Sequence, residues 1–206
     1  MAYASWLVPN KQSGSNDSTV SVSAGSNNTG RNARSTNITF SADGCPNVVC
    51  SVSQSGKPEF VTIESSKGVD KAGVQTLTIT GTSNSSKLSF SLGSGSLSLT
   101  LPQTYTANSV DTALGVAISG DPGASAEYAF SIAFSNIGAN EGTSDISKQL
   151  IVTDNAGNKA YCEITQAAGD ASLSVSPASV TLDWNSYSES KSASFTVTSN
   201  TNWTVS

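Results

Sequence analysis

The 206-residue sequence contains no histidine, one methionine and three cysteines, and charged residues make up only 12% of it. Without histidine, a Ser or Cys nucleophile lacks the base it ordinarily borrows. With no two cysteines at finger-like spacing, a zinc site is not expected either. The ten Lys and Arg are scattered and the formal net charge is −5. No basic stripe could follow a phosphate backbone, so nucleic acid is not an expected partner. Long apolar runs are missing as well: the first one, in "MAYASWLVPNK", is broken at Pro9. That excludes a helical membrane span and a signal-peptide core. The chain is therefore expected to be made in the cytoplasm and to leave it, if at all, by lysis or a leaderless route.

What the sequence has instead is serine, at 40 positions, and short stretches that alternate apolar and small polar residues. They are "STVSVSA" (Ser18–Ala24), "STNITFSA" (Ser35–Ala42), "VVCSVSQ" (Val48–Gln54), "TLTIT" (Thr76–Thr80), "KLSFSL" (Lys87–Leu92), "SLSLTL" (Ser96–Leu101), "YAFSIAF" (Tyr128–Phe134), "KQLIVTD" (Lys148–Asp154), "AYCEITQ" (Ala160–Gln166), "SVTLDW" (Ser179–Trp184) and "SFTVTS" (Ser194–Ser199). A period of two over four to eight residues predicts half-buried strands, and the turn residues between them recur at the spacing of a β-sandwich. No window carries a helical apolar period; "NSVDTALGVAI" (Asn108–Ile118) is expected to make at most a short helical turn. The predicted class is all-β with no significant helix.

Cys45, Cys50 and Cys162 are expected to be free thiols in the core, with Cys45 and Cys50 on opposite faces if they share a strand. Asp154 and Asn158, in the turn "TDNAGNK", have oxygens a calcium ion could use, but a lone Asx-rich turn without an acidic cluster predicts only a hairpin. No metal or cofactor is expected. Asp111 and Asp121 flank the insertion with Glu127 and Glu141 nearby, but carboxylates scattered in loops are normally solvated surface, and nothing in the spacing supports a converging acid–base pair. No catalytic residue is assigned. Aromatic rings that could stack on a sugar are Tyr3, Trp6, Tyr105, Trp184, Tyr187 and Trp203. Trp6 and Trp203 sit in alternating strands and are expected to plug a core, which leaves Trp184 and Tyr187, in polar "DWNSYSES", as the expected glycan contacts. Arg31 and Arg34 could anchor an acidic partner, although arginines in such a loop usually face water or a local carboxylate.

An internal repeat organises the chain. Ser18–Gly56 and Tyr128–Gly169 share one order: strand, Asn/Gly-rich excursion, strand, turn, and a strand closing on Cys-x-x-x-Gln. Cys50 and Gln54 stand 112 residues before Cys162 and Gln166. Leu77–Ser91 likewise matches Phe195–Ser206, each with Thr-Ser-Asn just past an alternating strand. Three units are expected: a back half over 1–56, a complete sandwich over 57–169 with an insertion near 93–126, and a front half over 170–206. The missing halves are expected from continuation of the chain, or from head-to-tail complementation between copies.

The order "SNTNWTVS", "SWL", "SGS", then Asn28 with Arg31 and Arg34, then "QSG" at Gln54–Gly56 resembles BACON domains, immunoglobulin-like sandwiches found mainly in Bacteroidetes and their phages. The middle copy departs from the pattern: Leu88 stands near the position of Trp203. The resemblance implies tandem immunoglobulin-like β-sandwiches. With neither catalytic module nor leader, it is most similar to the head-fibre and capsid-associated proteins of crAss-like phages. It implies a virion protein assembled in the bacterial cytoplasm, a homo-oligomer (a fibre trimer or head-to-tail contacts), that meets a capsid protein through a segment containing Tyr3, Trp6, Arg31 and Arg34. The alternative it implies is a carbohydrate- or mucin-binding module touching a host glycan.

Overall fold

The computed structural model describes residues 3–182, 184 and 192–206. Among them the fold is all-β in the manner of immunoglobulin-like sandwiches, the only helical element being a single 3-10 turn at Pro122–Ala124. The central sandwich is built from β5 (Val61–Ile63), β6 (Ser66–Val69), β7 (Val74–Ser83), β8 (Leu88–Leu92), β9 (Thr104–Ala107), β10 (Val110–Ala113), β11 (Tyr128–Ile137), β12 (Ile146–Asp154) and β13 (Lys159–Gln166). One sheet runs β10-β9-β11-β7-β5 and the other β6-β13-β12-β8. All pairings are antiparallel except β6 with β13.

Alternation explains the core. Tyr128, Phe130, Ile132 and Phe134 of β11 point inward together, and Leu150, Val152, Cys162 and Ile164 meet them from β12 and β13. Full burial of each large side chain contributes about 1.5–3 kcal/mol. The residues between them, Ala129, Ser131, Ala133, Ile151 and Glu163, are exposed or only partly buried, so one face of each strand supplies the core.

Among the described residues four more strands precede this sandwich and two follow it. β1 (Leu7–Pro9) pairs with β2 (Val22–Ala24), and β3 (Arg34–Phe40) pairs with β4 (Val48–Gln54). β14 (Leu173–Ser176) pairs with β15 (Thr196–Ser199). The repeat is kept residue for residue. Ile38 opposes Cys50 as Leu150 opposes Cys162, and Arg34 opposes Gln54 as Ile146 opposes Gln166. Likewise Leu173 opposes Ser199 as Val61 opposes Ser83.

Several expectations need correction. Ser96–Leu101 alternates but forms no strand; the Leu97 N–H donates instead to Ser147 O, which tucks that side chain into the core. Residues 179–182 and 184 of "SVTLDW" form none either, and Asp183 lies outside the described residues. Asn108–Ile118 makes a hairpin rather than a helical turn. Asn108 and Ser109 both adopt positive φ, 48° and 65°, the geometry that joins two twisted strands, here β9 and β10. Cys45 and Cys50 are exposed and only Cys162 is buried. Cys45 sits in a turn before β4, and Cys50 lies outside the small core that Trp6, Leu7 and Ile38 form with Val52.

Candidate binding surfaces

The most densely bonded polar site joins the first unit to the middle sandwich. Asn84, just past the end of β7, is fully buried. Its Nδ2 lies 3.3, 3.1 and 3.2 Å from the carbonyl oxygens of Thr29, Lys57 and Pro58, and its Oδ1 accepts the Phe60 N–H at 3.1 Å. A buried amide with this many partners fixes the linker between units, since leaving such groups unpaired is costly. Arg31 lies across it: Nη1 donates to Asn84 O at 2.9 Å, and the guanidinium pairs with Asp121 and, more loosely, with Glu59. Its main chain joins in, with the Arg31 and Asn32 N–H groups donating to Gly123 O and Ala124 O, both at 3.0 Å. Lys57 Nζ meets Glu127 at 3.0 Å and lies 3.6 Å above the Phe60 ring. The end of the 93–126 insertion therefore serves as a bracket for the preceding unit.

The next junction repeats this construction. Asn28 Nδ2 donates to Asn32 O and Ser55 O; Asn140 Nδ2 donates to the equivalent Ser144 O and Ala167 O. Asn200 Nδ2 donates to Glu141 O and Asp170 O, the counterparts of Thr29 and Pro58, and its Oδ1 accepts from Ser172 N as that of Asn84 does from Phe60 N. Ser199 Oγ donates to Ser172 O as Ser83 Oγ does to Phe60 O. Here the bracket is absent among the described residues. Asn200 is exposed, and the side-chain link is the ion pair of Lys71 with Asp170, which raises the lysine above its usual range.

Asn84 and Asn200 are visible in the sequence as the repeated Thr-Ser-Asn and Asn28 as part of the BACON-like pattern, but Asn140 is not singled out there, and no local pattern says what any of them bonds.

The named aromatic and basic residues scatter. Trp6 is buried with Leu7 and Ile38, with the Arg34 guanidinium 4.9 Å from its ring centre. Arg34 also donates to Gln54 Oε1 and Ser26 O, so its hydrogen bonds stay within its own unit. Tyr3 is half-buried beside this small core and accepts a 3.3 Å hydrogen bond from Gln12. Tyr105 is not a surface ring: it packs against Phe90 and Phe130, and burial pushes its phenol up. Trp203 is corrected too, being 48% exposed in the irregular stretch after β15 rather than plugged into a core. Trp184 is 94% exposed, free to stack on a ligand ring. Tyr187 lies outside the described residues.

The carboxylates do not converge into a pair. Asp121 pairs with Arg31, Glu127 with Lys57, and Asp111 accepts from Thr106. Asp154 accepts from Asn158 N and Nδ2, both at 2.8 Å, which closes the β12–β13 hairpin. Among the described residues no group of three or more His, Cys, Asp or Glu could hold a metal.

Residues 1–55 match the model of the BACON family, described as "Putative binding domain, N-terminal". The matched stretch ends where the first inter-unit linker begins, and it supports the resemblance for that unit. No curated protein matches the chain.

Proposed function

We propose that the chain is a non-enzymatic structural protein, a stiff tandem of BACON-like sandwiches that serves as a head-fibre or capsid-associated protein of a phage. The observation that carries this reading is the junction built twice around Asn84 and Asn200. Independent domains tethered by a flexible linker need no such repeated hydrogen bonding, buried at Asn84 and exposed at Asn200, whereas a spacer that must hold its ends at a set distance does. The order of the BACON-like motifs from Trp203 through Trp6 to Gln54 supports the family alone, and the phage setting is taken from the further resemblance to head-fibre and capsid-associated proteins. Docking on the capsid would use the first unit. Arg31 and Arg34 are engaged within the chain, so strand edges and shape would supply that contact rather than charge. Quantitative mass spectrometry of gradient-purified particles tests the setting. The chain is expected at the copy number of a structural component, and its absence from washed particles refutes the proposal.

A second reading has its own observation. Trp184 is almost wholly exposed, and the matched family is described as a binding domain. In this reading the array presents a glycan-stacking ring, and saturable binding on a glycan array is lost in Trp184→Ala.

A further inference from the structure

Two clefts on this chain are the opened halves of one sandwich core. The first, about 670 Å³, is lined by Val20, Ile38 and Phe40 among others. Their counterparts 112 residues on are Ile132, Leu150 and Val152, the fully buried centre of the middle sandwich. The second, about 360 Å³, is lined by Leu173, Phe195 and Val197 in its floor. Leu173 and Phe195 correspond to Val61 and Ile79, which close over that same centre. Each cleft thus exposes the apolar residues that the other's counterparts bury.

The backbone edges agree. In the middle unit Ala129 O accepts from Asn108 N, so the odd-numbered groups of β11 face the β9 side, and β7 takes the other edge. Just before β2 the equivalent odd-numbered Ser21 O accepts from Asn10 N, just past β1. β1 therefore holds the edge corresponding to β9, and among the described residues the edge corresponding to that of β7 is unfilled, since β2 pairs there with β1 alone. Among the described residues β3 lacks a strand in the place of β8, and β15 pairs with β14 alone. A sheet edge left open beside an apolar cleft recruits a strand of matching pattern.

We infer that copies of this chain join head to tail, with β14–β15 of one copy closing over β2–β4 of the next. The middle sandwich prescribes the register. Ile132 faces Ile79 there and Ser131 faces Thr80, so Val20 meets Phe195, and Thr19 meets Thr196, of the neighbouring copy. A second copy is the occupant because its strand pattern and register are those the middle unit already uses. The contact is heterologous and generates a filament or a ring. Every junction along it repeats the asparagine construction. The inference stands on the repeat and is independent of the phage setting.

Light scattering after size exclusion of residues 1–206, from about 1 µM to 1 mM, is expected to show concentration-dependent oligomers. A constant 21.0 kDa particle overturns the inference and assigns the clefts to another partner. Val20→Lys blocks one end and Phe195→Asp the other, so each alone is expected to be monomeric. Mixed, the two are expected to form a dimer and nothing larger. Should either variant unfold, Thr19→Cys and Thr196→Cys replace it. Both side chains point outward, and in a Cys45→Ser/Cys50→Ser background a disulfide is expected only when the two variants are mixed. Association without rescue on mixing, or without that disulfide, overturns the head-to-tail arrangement.

Discussion

Asn28 and Asn140, 112 residues apart, make the same two hydrogen bonds through Nδ2, one to a carbonyl four residues on and one to a carbonyl twenty-seven residues on. In each case the second bond ties the excursion before a hairpin to the exit of that hairpin. The following main-chain bond is repeated as well: Lys57 N donates to Gly30 O at 2.8 Å, and Gly169 N to Gly142 O at 2.7 Å. The linkers leave their units in the same direction for this reason, and the next asparagine, 84 or 200, then takes hold of them.

Asn84→Ala removes an amide that satisfies carbonyls on Thr29, Lys57 and Pro58 as well as the Phe60 N–H. Buried groups left without partners cost about 1–3 kcal/mol each when not rehydrated, so a loss of about 2–3 kcal/mol is expected in urea unfolding. Asn200→Ala, at the exposed second junction, is expected to cost less than about 1 kcal/mol, because water replaces the amide there. Equal losses at both sites would contradict the role assigned to burial.

Gly30 touches the bracket so closely that an added Cβ would lie 2.3 Å from Ser125 C and 2.5 Å from Ser125 O. Gly30→Ala is therefore expected to push residues 29–32 off the 121–127 segment and to free Arg31. Trypsin cleavage after Arg31 should accelerate roughly tenfold, since proteolysis follows local opening. Gly44→Ala is the control. Its φ of +78° makes the alanine strained by about 1 kcal/mol, but nothing lies within 4 Å of the new Cβ. Cleavage at Arg31 is expected to stay unchanged.

The strands of the middle core were legible because burial on one face writes a period of two into the sequence, as in Tyr128, Phe130, Ile132 and Phe134. The same period in β3 and β4 promised a core that is not closed. Phe40 is 42% exposed where its counterpart Val152 is fully buried, because burial belongs to a pair of sheets and alternation reports only one of them. For Arg31 the sequence leaves open an acidic partner, water or a local carboxylate. Its bond to Asp121, ninety residues away, depends on how the insertion folds back, and no local spacing encodes that. The β9–β10 hairpin was missed for a local reason: Asn-Ser, less familiar than Asn-Gly at positive φ, still makes the turn.

Glu64 accepts from Thr80 N at 2.8 Å and from Thr80 Oγ1 at 3.0 Å, and pairs with Lys67 at 3.0 Å. The lysine hydrogen bond first, and the Thr80 N–H second, hold its carboxyl below its ordinary value near 4.5. A carboxyl lowered by folding stabilises the fold above its unfolded pKa, and that contribution is lost as pH falls through the folded value. Thermal midpoints are therefore expected to drop between about pH 5 and pH 3, and Glu64→Gln should flatten that drop. A variant with the same acid slope as the parent would show that Glu64 does not contribute to it.

The three thiols are expected to separate sharply by reactivity. Cys45 and Cys50 are exposed, whereas Cys162 is fully buried between the sheets. Burial pushes the Cys162 thiol up to about 11, so at pH 8 it carries almost no thiolate, and thiolate is the species that attacks an aromatic disulfide reagent. Titration of the native protein should release two equivalents quickly and the third only with denaturant. In oligomers of the head-to-tail kind the neighbour's strands would cover Cys50 as the front strands cover Cys162, so its rate should fall as protein concentration rises while that of Cys45 does not. A Cys50 rate that is independent of concentration over the range in which the oligomers form would contradict the register drawn from the middle sandwich.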